Sequence, residues 1–423
     1  MTSHLMTDAI QAINSPEEIR DAAARLRTVA QTEALTPKAI LEVFERWAAA
    51  LDAPGVREIP GVTFLRLWLR AGTLQPILTR ELGQNALDGG WREEGSSRLK
   101  SFPVGIVGHW PAGNIEIQPV LSLTCALLGG NSCVVRVPRG LVEPIRLVMD
   151  RLREVDPSGV LTSRIFVASF DHTRIDLHTA MAQAVDGAMI WGGAEAVSEV
   201  RSLPFPHWAH IAVFGPRISV AALDSAIWGD RNQRTNWCRR IARDVWQFEQ
   251  QACSSPQTLF LESGASADPE EFIAVLKSAF EEENRAHPRL EIEPALTSAI
   301  SRVRASWLLD DIAHRAAFPA PPDWTILLGS GVDIPEPTQG RTLSVIVADD
   351  LLEVVSRFDG TVQTLGLGIQ DAAREQTLAN AAGRRGVDRI VRLGQMHVFG
   401  SPWDGVDLIR PMTRLVRHVR SQD

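Results

Sequence analysis

The chain has 423 residues, 45% of them hydrophobic and 22% charged, which is an ordinary composition for a globular protein of two or three domains. Its formal net charge is −8 and the two signs are interleaved, so no basic face or tail favours nucleic acid or anionic lipid as a partner. No uncharged apolar run approaches the ~18 residues that a membrane-spanning helix requires, and no cationic leader is recognisable, so we expect a cytoplasmic protein.

Helix start signals are clear in the first ninety residues, which we predict to be helical. Ser15-Pro16-Glu17-Glu18 is a capping box with proline at the first helical position, and Thr36-Pro37 is a second start. One apolar face of that second helix follows at helical spacing: Ile40, Phe44, Trp47 and Leu51.

From Ser101 onward the sequence alternates between short strands and helices. Strands are predicted over residues 104–108, 133–137, 164–168, 187–191 and 210–214, and helices over 117–128, 143–154, 175–185 and 194–202. Repeated βαβ units of this kind predict a parallel sheet, with a nucleotide at the carboxyl edge of its strands. The common phosphate-binding motifs are absent, since residues 105–114 contain a His-Trp-Pro insertion that would not close around a pyrophosphate.

The cysteine pattern is the first indication of chemistry. Four cysteines without CxxC or Cys/His spacing argue against a disulfide framework and against a metal site. Three of them, Cys125, Cys133 and Cys238, lie in apolar or helical surroundings and are predicted to be buried. Cys253 differs because glutamines precede it and serines follow it. This local context leaves a reactive thiol and a structural thiol equally open.

A second α/β half surrounds Cys253. A long helix is predicted over about 232–250, so that its negative end would lie just before Cys253 and disfavour a thiolate. The remaining elements predicted in this half are strands at 258–261, 342–347, 364–369 and 389–391 and a helix at 351–358. Glu249, at the end of the long helix, is expected to be a solvated charge rather than a base.

Several motifs occur in the order found in the aldehyde dehydrogenase superfamily, and they resemble most closely its acyl-CoA reductase branch, typified by the fatty acyl reductase subunit of bacterial bioluminescence. The similarity runs from about Phe102 to the C-terminus. The motifs are Trp110-Pro111-Ala112-Gly113-Asn114, Gly130-Asn131-Ser132-Cys133-Val134-Val135-Arg136, Trp191-Gly192-Gly193, Phe214-Gly215-Pro216-Arg217, Gln251-Ala252-Cys253-Ser254-Ser255-Pro256-Gln257, Gln363-Thr364-Leu365-Gly366 and Trp403-Asp404-Gly405.

The resemblance implies an aldehyde dehydrogenase-like α/β fold of two Rossmann-type domains with the active site between them. The predicted boundaries are residues 1–217 for the N-terminal helices and the NADP-binding domain, 218–398 for the catalytic domain and 399–423 for a C-terminal segment. It also implies a homo-oligomer, because relatives assemble by strand exchange.

Carried over by position, the resemblance implies that Cys253 is the nucleophile and Asn114 the side-chain donor of the oxyanion hole. A helix N-cap is the alternative for Asn114. Hydrolytic aldehyde dehydrogenases have a water-activating glutamate where this chain has Val213, which implies that the acyl-enzyme is not discharged by water. A structural role is preferred for His109 over a protonating one.

The implied cofactor is NADPH. Arg136 stands where the superfamily has a lysine at the adenine ribose, and Arg139 where NAD-preferring members have an acid, so two guanidinium groups would suit a 2′-phosphate. Solvated loop charges are the alternative for both. The other residues implied to bind the cofactor are Trp110, Pro138, Trp191, Gly192 and Gly193, the glycine pair alternatively forming only a tight turn.

The function implied is NADPH-dependent reduction of an acyl thioester, on coenzyme A or acyl carrier protein, to an aldehyde through a Cys253 acyl-enzyme. Three alternatives remain open: an NADP-linked aldehyde dehydrogenase, a cysteine acyltransferase or thioesterase without redox chemistry, and a non-catalytic partner in a multienzyme complex. Neither nucleic acid nor membrane is an expected partner.

Overall fold

The structure, a computed structural model, describes residues 9–32, 35–264, 268–289, 291–309 and 315–419. The chain forms two compact units: Met1–Gly215 together with Phe399–Asp423, here called unit 1, and Pro216–Val398, here called unit 2. The assignment of a cofactor domain to residues 1–217 and a catalytic domain to 218–398 stays a prediction.

The helices and strands are numbered in chain order. The helices are α1 (Pro16–Thr32), α2 (Pro37–Ala50), α3 (Val62–Trp68), α4 (Ala71–Leu82), α5 (Gln118–Leu128), α6 (Val142–Val155), α7 (Ile175–Ala184), α8 (Ala194–Arg201), α9 (Ser225–Trp228), α10 (Arg231–Trp246), α11 (Pro269–Ala286), α12 (Pro294–Leu309), α13 (Leu351–Ser356) and α14 (Ala372–Arg384). The strands are β1 (Gln11–Ala12), β2 (Arg92–Glu94), β3 (Ser97–Pro103), β4 (Ile106–Trp110), β5 (Ser132–Val137), β6 (Ile165–Ser169), β7 (Gly187–Trp191), β8 (His210–Phe214), β9 (Ile218–Leu223), β10 (Pro256–Glu262), β11 (Arg315–Ala317), β12 (Thr325–Ser330), β13 (Thr342–Ala348), β14 (Val362–Gly368), β15 (Arg389–Arg392) and β16 (Thr413–Val419).

Unit 1 is built on a parallel sheet with the strand order β1-β6-β5-β4-β7-β8, which confirms the predicted parallel α/β architecture. Strand β1 lies inside the stretch predicted to be only helical, and it pairs with β6. The apolar residues of α1 and α7 pack together with this sheet in one core cluster, which includes Ile19, Leu26, Leu177 and Met181.

Local start signals in unit 1 form as predicted. The Ser15 N–H donates to Glu18 Oε1 at 2.9 Å, and Thr36 Oγ1 accepts from the Ala39 N–H at 3.3 Å. The predicted apolar face of α2 is fully buried. Helix α5 ends at Leu128, immediately before the Gly129-Gly130-Asn131 stop.

Strand β4 runs from Ile106 to Trp110, so the predicted strand over residues 104–108 is displaced by two residues. Gly108 lies inside the strand and does not end it. The absence of a side chain at Gly108 leaves room for the indole of Trp110, since a Cβ at Gly108 would lie 2.6 Å from the Trp110 Cζ3 atom. Gly105, at φ +135°, similarly accommodates the carboxylate of Asp186. These glycines serve packing, which agrees with the absence of a phosphate-binding motif.

The C-terminal residues complete unit 1. Strand β16 pairs antiparallel with β3, which also pairs with β2. The buried carboxylate of Glu81 accepts hydrogen bonds from the backbone N–H groups of Leu408, Ile409 and Arg410 at 3.2, 2.8 and 2.8 Å. The segment 399–423, predicted as separate, therefore belongs to the same compact unit as the N-terminal helices.

Unit 2 is built on a second sheet with the order β11-β12-β13-β10-β9-β14-β15, parallel except for the β11–β12 pair. Alternate residues of β9 belong to different core clusters. Ala221 and Leu223 pack in the cluster that contains α10 and α11. Val220 and Ala222 pack in the cluster that contains α13 and α14. A parallel sheet covered on both faces explains the nearly continuous apolar strands. None of the helices in the described part of the chain has the length and hydropathy needed to cross a membrane.

Candidate active site

Most residues predicted to bind the cofactor lie at one edge of the unit 1 sheet. Strands β5, β4 and β7 are parallel neighbours, so the turns that follow them lie side by side at their carboxyl ends. The last residues of these strands and the turns after them include the residues predicted for cofactor binding and the oxyanion hole: Trp110 and Asn114 at the end of β4, Arg136, Pro138 and Arg139 at the end of β5, and Trp191, Gly192 and Gly193 at the end of β7.

Trp191 is the best-defined of these side chains. Its ring stacks on Phe214 with a centroid distance of 3.8 Å and an interplanar angle of 11°. Its Nε1 donates a 2.9 Å hydrogen bond to Ser122 Oγ, which also lies 2.8 Å from His109 Nδ1. Burial lowers the pKa of His109 to about 3, so this histidine is neutral, which fits the structural role preferred for it. The half-buried indole is thus held in one orientation at the carboxyl edge.

The Gly192-Gly193 turn leads directly into α8, and Gly193 is the N-cap residue of that helix. A Cβ built at Gly193 would meet no atom within 4 Å among the described residues, so the backbone there is open to a ligand. Open backbone at a helix N-terminus suits a phosphate group.

Arg136 and Arg139 differ in environment. Arg136 lies on β5, half-buried, with Nη2 3.4 Å from the Phe170 carbonyl oxygen, and burial lowers the pKa of its guanidinium. Its buried Nε has no hydrogen-bond partner among the described residues. The solvated-loop alternative is therefore wrong for Arg136. The side chain of Arg139 is 89% exposed and lies 3.8 Å from Asp171.

Trp110 and Asn114 take contrasting positions. The Trp110 indole is buried, and its Nε1 donates to His178 Nδ1 at 3.0 Å, so contact with a cofactor would fall to its backbone. Asn114 is exposed in the loop between β4 and α5. The N-cap residue of α5 is Ile117, so the N-cap alternative for Asn114 is wrong.

All four cysteines lie within the described residues and none forms a disulfide. Cys125, Cys133 and Cys238 are buried as predicted, and burial raises the pKa of each thiol. Cys253 is only partly buried. Of the four cysteines it is thus the one that retains solvent exposure. Outside the undescribed segments, no group of three or more His, Cys, Asp or Glu side chains is placed to hold a metal ion.

Cys253 lies in a tight turn at the amino end of β10. The Ser255 N–H donates to the Ala252 carbonyl at 2.9 Å, which places Cys253 and Ser254 at the two central positions. The Ser219 hydroxyl, from β9, donates to the Cys253 carbonyl at 2.6 Å. The Ser254 hydroxyl lies 3.0 Å from His397 Nδ1. The turn bond and these two side-chain contacts therefore fix the backbone at Cys253 and immediately after it.

The long helix predicted over 232–250 is too long: α10 ends at Trp246. Phe248, Glu249 and Gln250 then adopt left-handed conformations with φ of 55°, 53° and 59°. Because a helix dipole acts within the last turn, the unfavourable negative end expected next to Cys253 is displaced from it.

Three left-handed residues that are not glycine cost roughly 1–2 kcal/mol each, so surrounding contacts must hold them. The Gln250 amide donates to the carbonyls of Pro256 and Thr342, both at 2.8 Å, and accepts from the Thr342 N–H at 2.6 Å. Glu249 pairs with the buried guanidinium groups of Arg289 and Arg341. Glu249 is therefore partly solvated, with its side chain 41% exposed, but it is a paired charge beyond the end of α10 and not the helix-end charge that was expected.

Sequence reasoning missed three residues that shape the site: Ser122, Ser219 and His397. Ser122 contacts Trp191, Ser219 contacts Cys253, and His397 contacts Ser254, the neighbour of Cys253. Each does so from a distant point in the chain, and its own sequence neighbours do not distinguish it. Partners of this kind leave no local pattern to detect.

Comparison with solved structures defines the fold. An aldehyde dehydrogenase from Brucella melitensis biovar abortus 2308 superposes with a TM-score of 0.72 at 12% identity, covering 96% of this chain and 90% of that one. Aldehyde dehydrogenase 21 from Physcomitrella patens gives 0.69 at 13% identity, covering 96% and 91%. The protein therefore has the aldehyde dehydrogenase fold, as the motifs predicted.

Sequence comparison defines a narrower group than the fold does. Residues 37–418 match the family model described as Acyl-CoA reductase (LuxC), and the chain belongs to that family. The long-chain acyl-protein thioester reductase of Vibrio harveyi is 24% identical over 363 residues, covering 82% of this chain and 70% of its own length. The enzyme of the same name from Photorhabdus laumondii is also 24% identical, with the same coverage. The predicted resemblance to this branch is thus confirmed.

Proposed function

We propose that the protein reduces an acyl thioester to an aldehyde with NADPH, through a covalent acyl-enzyme on Cys253. In balance, the thioester, NADPH and a proton give the aldehyde, the released thiol and NADP⁺. The names of the two relatives support a long-chain acyl group carried by a protein.

The observation that carries this proposal is the placement of Cys253. It is the cysteine that is not buried, and its turn is fixed by Ser219 and by Ser254 with His397. A thiol presented from a rigid backbone suits nucleophilic attack, because little ordering remains to be done in the transition state.

The chemical steps fall to the chain's own residues as follows. The Cys253 sulfur forms a bond to the thioester carbonyl carbon, the bond to the carrier sulfur breaks, and the carrier leaves as a thiol. The Asn114 amide donates to the oxygen on which negative charge develops. When the acyl group has been reduced, the carbon–sulfur bond to Cys253 breaks, the aldehyde is released and the thiolate is restored.

The reduced nicotinamide, when bound, supplies the hydride for the reduction. Arg136 fits an anionic cofactor because its half-buried guanidinium retains an Nε atom without a partner among the described residues. Arg139 adds a second cation at the same turn. Among the described residues the acid paired with Arg139 is Asp171, so the two guanidinium groups leave an excess of positive charge at this turn that favours the 2′-phosphate of NADPH.

Loss of the acyl group to water is not supported. Val213 lies within β8, at the position where the resemblance places the water-activating glutamate of hydrolytic relatives. A valine side chain cannot accept a proton, so the acyl-enzyme persists until it is reduced or returned to a thiol.

Intact-mass spectrometry tests the proposal directly. The protein is incubated with long-chain acyl-CoA or acyl carrier protein, with and without NADPH. We expect an acyl adduct on Cys253 that disappears on addition of NADPH while aldehyde forms, and no adduct in Cys253→Ala. Cys125→Ala is a matched control because that thiol is buried. Aldehyde production at the parental rate by Cys253→Ala would refute the proposal.

A further inference from the structure

Two side-chain contacts hold the chain on the C-terminal side of Cys253: the Ser219 hydroxyl donates to the Cys253 carbonyl, and the Ser254 side chain contacts His397. Ser254 is 3% exposed, and its hydroxyl lies 3.0 Å from His397 Nδ1. Ser255, the next residue, has a buried hydroxyl without a hydrogen-bond partner among the described residues. The two adjacent serines therefore differ in whether the fold uses their side chains.

The tautomer of His397 follows from its other contact. Its Nε2 lies 2.7 Å from the backbone carbonyl oxygen of Asp244, which can only accept, so Nε2 carries the hydrogen. Nδ1 of the neutral ring is then an acceptor, and the Ser254 hydroxyl donates to it. Burial lowers the pKa of His397 to about 4, so the ring remains neutral near pH 7.

The imidazole is itself held in place. The Asp244 carboxylate accepts from the Gly394 N–H at 2.6 Å, so Asp244 fixes both the His397 ring and the segment that leads to it. The Phe248 ring stands edge-on to the imidazole, with centroids 5.6 Å apart. His397 is thus a fixed acceptor that reaches Ser254 from a different part of unit 2.

We propose that His397 is a positioning residue: by fixing the Ser254 hydroxyl it orients the Cys253 turn, and so the direction in which the sulfur attacks. This inference rests on the proposed function. It assigns no proton transfer to His397, which acts only through Ser254.

The test measures the rate of acylation of Cys253 against thioester concentration. Ser254→Ala and His397→Gln each lower the maximal acylation rate at least tenfold, with little change in the half-saturating concentration, because misorientation affects attack more than binding. The double variant is no slower than the slower single variant. His397→Asn recovers part of the rate, since its shorter amide places an acceptor near the Nδ1 position. Ser255→Ala, the matched control, changes the rate far less than Ser254→Ala.

Additive losses in the double variant, or equal rates for His397→Gln and His397→Asn, would show a merely structural role and overturn the inference.

Alkylation of Cys253 by iodoacetamide, followed by mass spectrometry, separates this inference from the proposed function. If the parent is alkylated but never acylated, the proposed function fails. If the Ser254→Ala and parent thiols are alkylated and acylated at equal rates, the positioning role fails. Should a His397 variant not fold, Ser254→Ala and Ser255→Ala decide the question.

Discussion

The indole N–H of Trp191 donates to the hydroxyl of Ser122, and this bond joins the turn predicted to bind the cofactor to the interior of α5. Ser122 is fully buried, so its removal leaves the indole nitrogen and His109 without this partner.

Ser122→Ala should therefore weaken NADPH binding about five- to tenfold, equivalent to the roughly 1 kcal/mol of one buried hydrogen bond. Thr124→Val is a matched control. Thr124 lies on α5 like Ser122, and its hydroxyl accepts the same kind of bond from the indole N–H of Trp68. Fluorescence or calorimetric titration with NADPH checks both variants. Equal weakening in both would show that the effect is general to α5 and does not act through Trp191.

Arg139→Ala should lower the affinity for NADPH about fivefold and leave that for NADH nearly unchanged, because an exposed cation gains on the order of 1 kcal/mol from an added phosphate charge. Arg20→Ala removes another exposed arginine of unit 1, paired with Glu17, and should affect neither nucleotide. Titrations at two salt concentrations measure both affinities. Equal losses for the two nucleotides would contradict a 2′-phosphate contact.

The left-handed segment before Cys253 gives a stability prediction. Gln250→Ala removes three buried hydrogen bonds and should lower the free energy of unfolding by about 2–4 kcal/mol. Gln250→Gly loses the same bonds but adopts φ near 59° without strain, so it should be about 1 kcal/mol more stable than Gln250→Ala. Urea denaturation distinguishes them. A glycine variant no more stable than the alanine variant would show that the conformation carries no strain.

Asp244 predicts a pH dependence. Burial raises its pKa to about 7, outweighing the bonds from backbone N–H groups that act in the other direction. Because the folded-state pKa lies above the unfolded value, the folded protein is progressively destabilised as the pH rises from about 4 to about 7. Asp244→Asn removes this penalty, so its stability advantage over the parent should grow across that range by about 2–4 kcal/mol and then level off.

Urea denaturation between pH 4.5 and 8.5 measures this difference. The lowered pKa of His397 acts in the opposite direction, but it does so in both proteins. Asp230→Asn, at the other end of α10, is the control: the backbone N–H of Asn232 lowers the pKa of Asp230, so the effect of this variant should be constant over the same range. An advantage of Asp244→Asn that is the same at every pH would contradict a raised pKa.

Local signals explain which parts of the fold were predictable. Strands β7 and β8 were predicted with their observed bounds, since glycine residues limit each of them, and the capping box at Ser15 set the start of α1. The end of α10 was not predictable. The left-handed conformation there is imposed by contacts with Arg341 and Thr342, which lie 92 residues further along the chain.

The candidate site likewise combines residues that the local sequence indicates with residues that only the folded chain brings near them. Cys253 could be singled out because its polar neighbours are unusual for a cysteine, and its role stays a prediction. The residues that contact its turn are not encoded near it. Ser219 is 34 residues from Cys253, and His397 is 143 residues from Ser254. A serine in a strand or a histidine after one is ordinary, and only the folded chain shows what each contacts.

The return of the chain to Glu81 also has a consequence for biosynthesis. As residues leave the ribosome in order, the whole of Pro216–Val398 emerges before Leu408, Ile409 and Arg410 are available to that carboxylate. Strand β3 must likewise wait for β16, its partner at the far end of the sequence. The inserted half can therefore finish folding on the nascent chain while the surrounding half is still incomplete, and closure over such a long separation should be the slow step.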